Sequence, residues 1–350
     1  MATNASELLD VRDLSVAVHS RRGPVGLVDR VNLSVGRGQI VGLVGESGCG
    51  KSMTAAAIAR LFPTTAAHIT GGEVTLDGTG DLTKLDDRQF RKVRGARIGM
   101  IFQDPSTYLD PLMTIGKQVR EALQAHGYKG NHERRIVELL ELMGLPDAGQ
   151  LASRYPHELS GGQRQRVLIA AALAGDPDLL IADEPSTALD VTVQAEILML
   201  LCELRDELGL SILMITHDLG VVAQMCDRVY VMYAGRVVEQ RGVQEIFDDP
   251  RHPYTVGLLA GTLSPAVKDQ ELFSIPGRVP DPRAMPDGCR FNPRCPLAVT
   301  ACREKEPPKE DVPTGYSACW RYDHPGMRDA WRRAEEDPSQ VTAEAEGDVS

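Results

Sequence analysis

No apolar run in this sequence approaches the length needed to cross a bilayer; the longest, 167–174 (VLIAAALA), is far too short. The opening residues, Met1-Ala-Thr-Asn-Ala-Ser-Glu7, lack the basic stretch and apolar core of a secretory signal. Excess positive charge is missing too. A net charge of −11 over 350 residues excludes a general nucleic-acid binder, although it leaves room for a local basic patch. No internal repeat is present. Together these absences predict a cytosolic protein that reaches membranes only through partners. The rest of the composition is ordinary, with 42% apolar and 25% charged residues, as in soluble globular proteins. The length accommodates one large domain with an appendage, or two domains.

The first specific feature is Gly45-Glu46-Ser47-Gly48-Cys49-Gly50-Lys51-Ser52, a phosphate-binding loop. Gly45 and Gly50 permit backbone conformations and close approaches that a Cβ would forbid. The amides between them can then turn inward onto phosphate oxygens. Lys51 brings a charge to the β and γ oxygens, and the Ser52 hydroxyl can ligate Mg²⁺. Residues 39–44 (QIVGLV) predict a strand before the loop. Residues 52–61, rich in alanine, predict a helix whose N-terminus faces the anion, with Met53 in its first turn. The bland alternative, a glycine-rich turn that binds nothing, leaves this order of strand, loop and helix unexplained.

Elsewhere the order of elements is mostly strand and helix in alternation. Residues 9–18 and 30–35 predict short strands around a turn at 21–26, and 73–76 another. Residues 97–102 lead into a Gln103-Asp-Pro break. Amphipathic helices are predicted at 115–126 and 132–143, a third helix at 163–173, and a long one at 191–208. Apolar strands at 179–182 and 211–215 flank the long helix. Short apolar strands between helices predict a mainly parallel sheet covered on both faces. The segments 14–35 and 228–240 read as antiparallel, which adds a β subdomain.

Residues 179–184 (LLIADE) are an apolar strand that ends in two carboxylates. Asp183 is placed to hold Mg²⁺ opposite Ser52. Glu184 can then face the water that attacks a γ-phosphate, as general base or water orienter. A charged strand end making ordinary caps is the alternative. Two more polar residues follow apolar strands: Gln103, a candidate sensor of Mg²⁺ and the lytic water, and His217, a candidate γ-phosphate contact. Sheet strands deliver their C-terminal ends to ligands in α/β folds. A lone histidine after a strand can equally be structural.

These motifs, with Leu159-Ser160-Gly161-Gly162-Gln163 and Ser186-Thr-Ala-Leu-Asp190, resemble the motif set of ATP-binding cassette (ABC) ATPases over residues 8–262. The resemblance implies an α/β P-loop NTPase core with an antiparallel β subdomain and a helical subdomain. It also implies a head-to-tail dimer with two ATP molecules at the interface. Each ATP would touch one subunit's P-loop and the partner's Ser160, Gly161, Gly162 and Gln163, and 186–190 would couple the two sites. One departure stands out. The family places an aromatic residue near the end of the first strand for adenine to stack on, whereas this chain reads Leu14-Ser-Val-Ala-Val18-His19, so either His19 stacks on the base or adenine is held more weakly.

A finer resemblance rests on Arg251-His-Pro-Tyr-Thr255 and on the proline-flanked cysteines of 288–296. Both look like the ATPase subunits of dipeptide and oligopeptide importers, a group that includes nickel importers. The implied partners are a second ABC ATPase subunit (a heterodimer rather than a homodimer), two integral membrane permease subunits and an extracellular or periplasmic solute-binding protein. The implied location is the cytoplasmic face of the plasma membrane. Nickel, or another solute, is the alternative cargo. A non-transport ABC ATPase and a non-hydrolysing regulatory module are the rival functions. The interval from Gln103 to Ser160 is too short for the coiled-coil insertion of DNA-repair cassettes, and ribosomal types carry two cassettes per chain. An intact Glu184 and His217 argue against a module that does not hydrolyse ATP.

Beyond about residue 263 the sequence becomes dense in Pro, Cys and charge. Residues 263–325 are expected to form a small Cys-rich C-terminal extension, and 326–350 a disordered acidic tail. Cys289, Cys295, Cys302 and Cys319 are separated by five, six and sixteen residues. Four thiolates can hold a [4Fe–4S] cluster or a tetrahedral zinc. The absence of a C-x₂-C pair favours iron–sulfur, and some members of the resembled group carry such a cluster at matching cysteines. Uncomplexed or disulfide-linked thiols are the third reading.

Overall fold

The computed structural model describes residues 7–103, 105–185, 190–263 and 274–336. The expected coupling-loop residues 186–189 therefore lie outside the described residues, although Asp190 is within them. In chain order the first half comprises β1 (Glu7–Ser20), β2 (Gly23–Gly36), β3 (Ile40–Val44), α1 (Lys51–Ala59), β4 (Ala67–Leu76), β5 (Gly80–Asp81), α2 (Asp87–Phe90), β6 (Ile98–Ile101), α3 (Pro105–Tyr108), α4 (Ile115–Ala125), α5 (His132–Leu142), α6 (Ala148–Leu151) and α7 (Gly161–Ala172). There follow β7 (Leu179–Asp183), α8 (Val191–Leu208), β8 (Ser211–Thr216), α9 (Leu219–Met225), β9 (Arg228–Tyr233), β10 (Arg236–Gly242), α10 (Val243–Asp248), α11 (Pro253–Leu263), α12 (Thr300–Glu304), β11 (Glu310–Val312), β12 (Gly315–Ser317) and α13 (Met327–Glu336). These segments interleave into two compact units. One is made of residues 1–10, 34–40 and 74–215, and the other of 11–33, 41–73 and 216–350.

In the first unit β6, β7 and β8 are parallel, with Ile98 opposite Leu179 and Leu179 opposite Ser211. Every residue of β7 and β8 is buried. That burial explains why both strands are nearly continuous apolar runs rather than alternating ones. Beside the sheet α4, α5 and α7 pack on one another. Here α4 buries Ile115, Val119 and Leu123, while α5 buries Ile136, Leu139 and Leu140. Both sets show the helical spacing read from the sequence. The Asn131 side chain caps α5 by accepting from Arg134 N at 3.1 Å.

The second unit holds the antiparallel β subdomain, with β2, β1 and β4 side by side. Here β3 runs parallel to β9, with Val41 opposite Arg228, and β9 and β10 form a hairpin. On the far edge β12 pairs with β10, and β11 with β12. A register shift between Val237 and Glu239 interrupts the alternation of β10, which leaves five successive residues from Val237 to Arg241 buried. One of them is the carboxylate of Glu239.

The stretch expected to open a disordered tail at 326 differs in the structure. Residues 327–336 are the helix α13, which packs on α11. Met327, Ala330 and Trp331 are buried on one face at i, i+3 and i+4, and Trp331 Nε1 donates to Pro253 O at 2.7 Å. Three buried apolar residues within a mostly charged segment are enough to anchor it. Composition averaged over the tail hides them.

Candidate functional site

The phosphate-binding loop connects β3 to α1, as its sequence requires. A Cβ on Gly45 would lie 2.1 Å from Met232 O, so only glycine lets the loop leave β3 beside β9. Lys51 is buried, and its Nζ donates to Gly45 O at 2.7 Å and to Glu46 O at 3.0 Å. Cys49 is buried beneath the loop, and burial pushes its thiol pKa up. Ser47, Gly48 and Ser52 are exposed and Met53 is half-buried. The helix dipole and first-turn amides of α1 meet solvent where the exposed loop residues lie, a favourable environment for a phosphate.

In the other unit Asp183 closes β7 and is buried. Glu184 follows with φ 48°, in the left-handed region, and its N–H donates to Ile215 O at 2.9 Å. That turn stops the strand after Asp183. Gln103, just past β6, reaches the same place. Its Nε2 donates to Glu184 Oε2 at 2.7 Å. Two residues separated by 81 positions thus meet at the ends of neighbouring parallel strands.

Ser160 caps α7 through a reciprocal pair of hydrogen bonds. Gln163 N donates to Ser160 Oγ at 3.2 Å, and Ser160 N donates to Gln163 Oε1 at 3.0 Å. The pair holds the first turn of α7 in a fixed shape, with Gly161 and Gly162 between its members. His217 is exposed just after β8. His19 stacks on His68, with ring centroids 4.3 Å apart and planes 15° from parallel. His68 was not singled out by the sequence, because nothing local pairs it with His19.

The Arg251-His-Pro-Tyr-Thr255 motif forms the start of α11. Glu239 accepts from Arg251 N at 2.7 Å and from His252 N at 3.0 Å, while His252 Nδ1 accepts from Tyr254 N at 3.0 Å. Burial pushes the Glu239 carboxyl up to about 7 and the His252 imidazole down to about 3. Tyr254 extends further, and its hydroxyl accepts the Glu46 N–H of the phosphate loop at 2.8 Å. The four cysteines of 289–319 line one pocket together with His252 and Phe291. Burial pushes the Cys289 thiol up to about 11 and the Cys319 thiol up to about 12. Among the described residues no three His, Cys, Asp or Glu side chains are grouped closely enough to hold a metal ion. The cluster expectation therefore meets no preformed ligand set: the thiols share a pocket without converging on one point.

A family model described as ABC transporter matches residues 28–187, and one for the C-terminal region of oligopeptide/dipeptide transporters matches 238–302. Over 321 residues the chain is 49% identical to a probable peptide ABC transporter ATP-binding protein of Sinorhizobium fredii, covering 91% of this chain and 96% of that protein. The chain belongs to the ATP-binding subunits of oligopeptide and dipeptide ABC importers. It is also 48% identical to the oligopeptide transport ATP-binding protein of Bacillus subtilis, covering 90% of this chain and 89% of that one. A dimeric ATP-binding cassette solved in a post-hydrolysis state with ADP and phosphate superposes with a TM-score of 0.60 at 30% identity, covering 67% of this chain and 98% of that cassette. This importer subunit is an ATPase of the ABC fold. No helix among its described residues is long and apolar enough to cross a membrane.

Proposed function

We propose that this importer ATPase works as one half of a cassette pair, in which its P-loop and a partner's signature sequence close on the same ATP. Residues 45–53 hold the phosphates, with Lys51 on the β and γ oxygens. Ser52, Gln103 and Asp183 would provide the Mg²⁺ oxygens, and the metal would neutralise charge on the phosphates. Glu184 orients the attacking water, and His217 contacts the γ-phosphate. His19 offers a ring face to adenine. Ser160, Gly161, Gly162 and Gln163 act in trans on the partner's nucleotide. The solved cassette that resembles this chain is itself a dimer, which supports the pairing.

The observation that carries the hydrolytic reading is the contact between Gln103 and Glu184 at 2.7 Å, which fixes a carboxylate just beyond the buried Asp183. Glu184→Gln tests it. The variant is expected to keep ATP binding and accumulate a closed pair while turnover nearly stops. Unchanged phosphate release would overturn the assignment.

The energy is spent on import of di- and oligopeptides through two permease subunits supplied by a solute-binding protein. A second, different ABC ATPase subunit completes the pair at the cytoplasmic face of the membrane. Nickel is the alternative cargo of the group, and the names of the relatives favour peptide.

A second reading concerns the cysteine pocket. Cys289, Cys295, Cys302 and Cys319 are the residues that would hold a [4Fe–4S] cluster, with zinc as the alternative, by drawing their side chains together. Its support is that all four thiols line one pocket. A cluster there would cross-link a segment with little regular secondary structure. Visible thiolate-to-iron absorbance after expression with iron is the expected result. A colourless protein with stoichiometric zinc would remove the cluster.

A further inference from the structure

Glu46 is the second residue of the phosphate loop, and it is held at four atoms. Its carbonyl accepts from Lys51 Nζ and its N–H donates to Tyr254. Its carboxylate meets Arg294 in two parallel hydrogen bonds, Nη1 to Oε2 at 2.6 Å and Nη2 to Oε1 at 2.9 Å. Arg294 comes from a single 3₁₀ turn, Asn292–Arg294, that leads directly into Cys295. Its side chain is buried, 5% exposed, and every N–H of the guanidinium has a partner. Nε donates to Pro276 O at 2.8 Å, Nη1 also to the Tyr233 hydroxyl at 3.3 Å, and Nη2 also to Ile275 O at 3.0 Å. The Tyr233 and Phe291 rings lie 5.7 and 6.0 Å from its centre.

A buried arginine with all five donors satisfied cannot shift without losing several bonds at once. The residue it grips supplies one of the two carbonyls that receive the loop lysine. We propose that Arg294 is a positioning residue for the phosphate loop: through Glu46 it fixes the backbone on which Lys51 rests, so that the C-terminal region sets the affinity for the triphosphate. The proposal rests on the reading of 45–53 as the nucleotide site. Its physical content is preorganisation. A loop that must order itself on binding loses affinity by the cost of that ordering, and a bidentate charged pair removes most of the freedom beforehand. The turn carrying Arg294 lies between Cys289 and Cys295, which both line the cysteine pocket, so a change in that pocket has a short path to the loop.

The test measures the Kd of a fluorescent ATP analogue on the full chain, with melting temperature followed in parallel. Glu46→Gln keeps the side-chain shape and removes the charge; Arg294→Met keeps the packing and removes the donors. Each is expected to raise Kd by about tenfold, with the double variant no worse than the weaker single variant and Arg294→Lys recovering part of the loss. If Arg294→Met does not fold, Glu46→Gln alone decides. Wild-type affinity in Glu46→Gln and Arg294→Met, or losses that add fully, overturns the proposal whenever Lys51→Ala has lost nucleotide. Wild-type affinity in Lys51→Ala overturns the nucleotide-site reading itself, and the proposal with it.

Discussion

The Gln103 side-chain amide donates to the Glu184 carboxylate across the ends of two parallel strands, at 2.7 Å. Glutamine is a neutral donor here, so it orients the carboxylate without neutralising it. Gln103→Ala is expected to lower kcat on the order of tenfold to a hundredfold with a smaller change in ATP affinity. Steady-state phosphate release over a range of ATP concentrations checks this. An effect confined to KM would place Gln103 in binding rather than in orientation of Glu184.

Gly45 faces the Met232 carbonyl with no room for a methyl group. Gly45→Ala is expected to force the loop away from β9, costing about 1–3 kcal/mol of stability together with most of the nucleotide affinity. Urea unfolding and nucleotide titration of the same variant report both effects. A stable variant that binds ATP normally would mean the loop has another way out of β3.

Ser160 and Gln163 cap α7 reciprocally, and the same residues are assigned a role on the partner's ATP. Ser160→Ala is expected to cost about 1 kcal/mol in the isolated subunit through the lost cap. Ser160→Asp keeps a capping oxygen on α7 and places a negative charge where the partner's γ-phosphate would approach. It is expected to leave ATP binding to the isolated subunit intact while abolishing ATP-dependent pairing and turnover. Loss of binding in the isolated subunit would contradict the role in trans.

Two neighbouring groups titrate in opposite senses. Glu239 has its pKa raised to about 7 by burial, so the folded state keeps a proton that the unfolded state releases near 4.5, and this contribution to stability falls as pH rises from about 4.5 to 7. His252 has its pKa lowered to about 3 by burial, so the unfolded state takes a proton near 6.5 that the folded state refuses, and its contribution falls as pH drops from 6.5 toward 3. The two slopes oppose each other between pH 4.5 and 6.5. Glu239→Gln removes one of them. Its stability, measured by urea unfolding at several pH values, is expected to rise more steeply from pH 4.5 to 6.5 than that of the parent. Parallel profiles would show that Glu239 ionises normally.

Trp331 is buried and hydrogen-bonded to the start of α11. Trp331→Ala is expected to cost about 3–5 kcal/mol. A change within about half a kilocalorie would mean that α13 contributes nothing to the fold.

Local pattern alone determined much of this protein. The phosphate loop, the carboxylates after 179–182 and the helices at 115–126, 132–143 and 191–208 are all set by short-range rules of spacing, periodicity and glycine placement. Such rules act within a few residues, so they are legible without a fold. Tertiary structure decided what long-range contacts decide. Glu46 and Arg294 are 248 positions apart, and no periodicity in either neighbourhood marks them as a pair. His68 became the neighbour of His19 only when β4 came beside β1. Glu239 acquired its raised pKa because the register shift in β10 turns it into the core under two backbone amides. The helix at 327–336 exists because Trp331 finds Pro253. Spacing placed four cysteines within one short stretch, but only side-chain packing determines whether thiols in a shared pocket also share a ligand point, and here they do not converge on one.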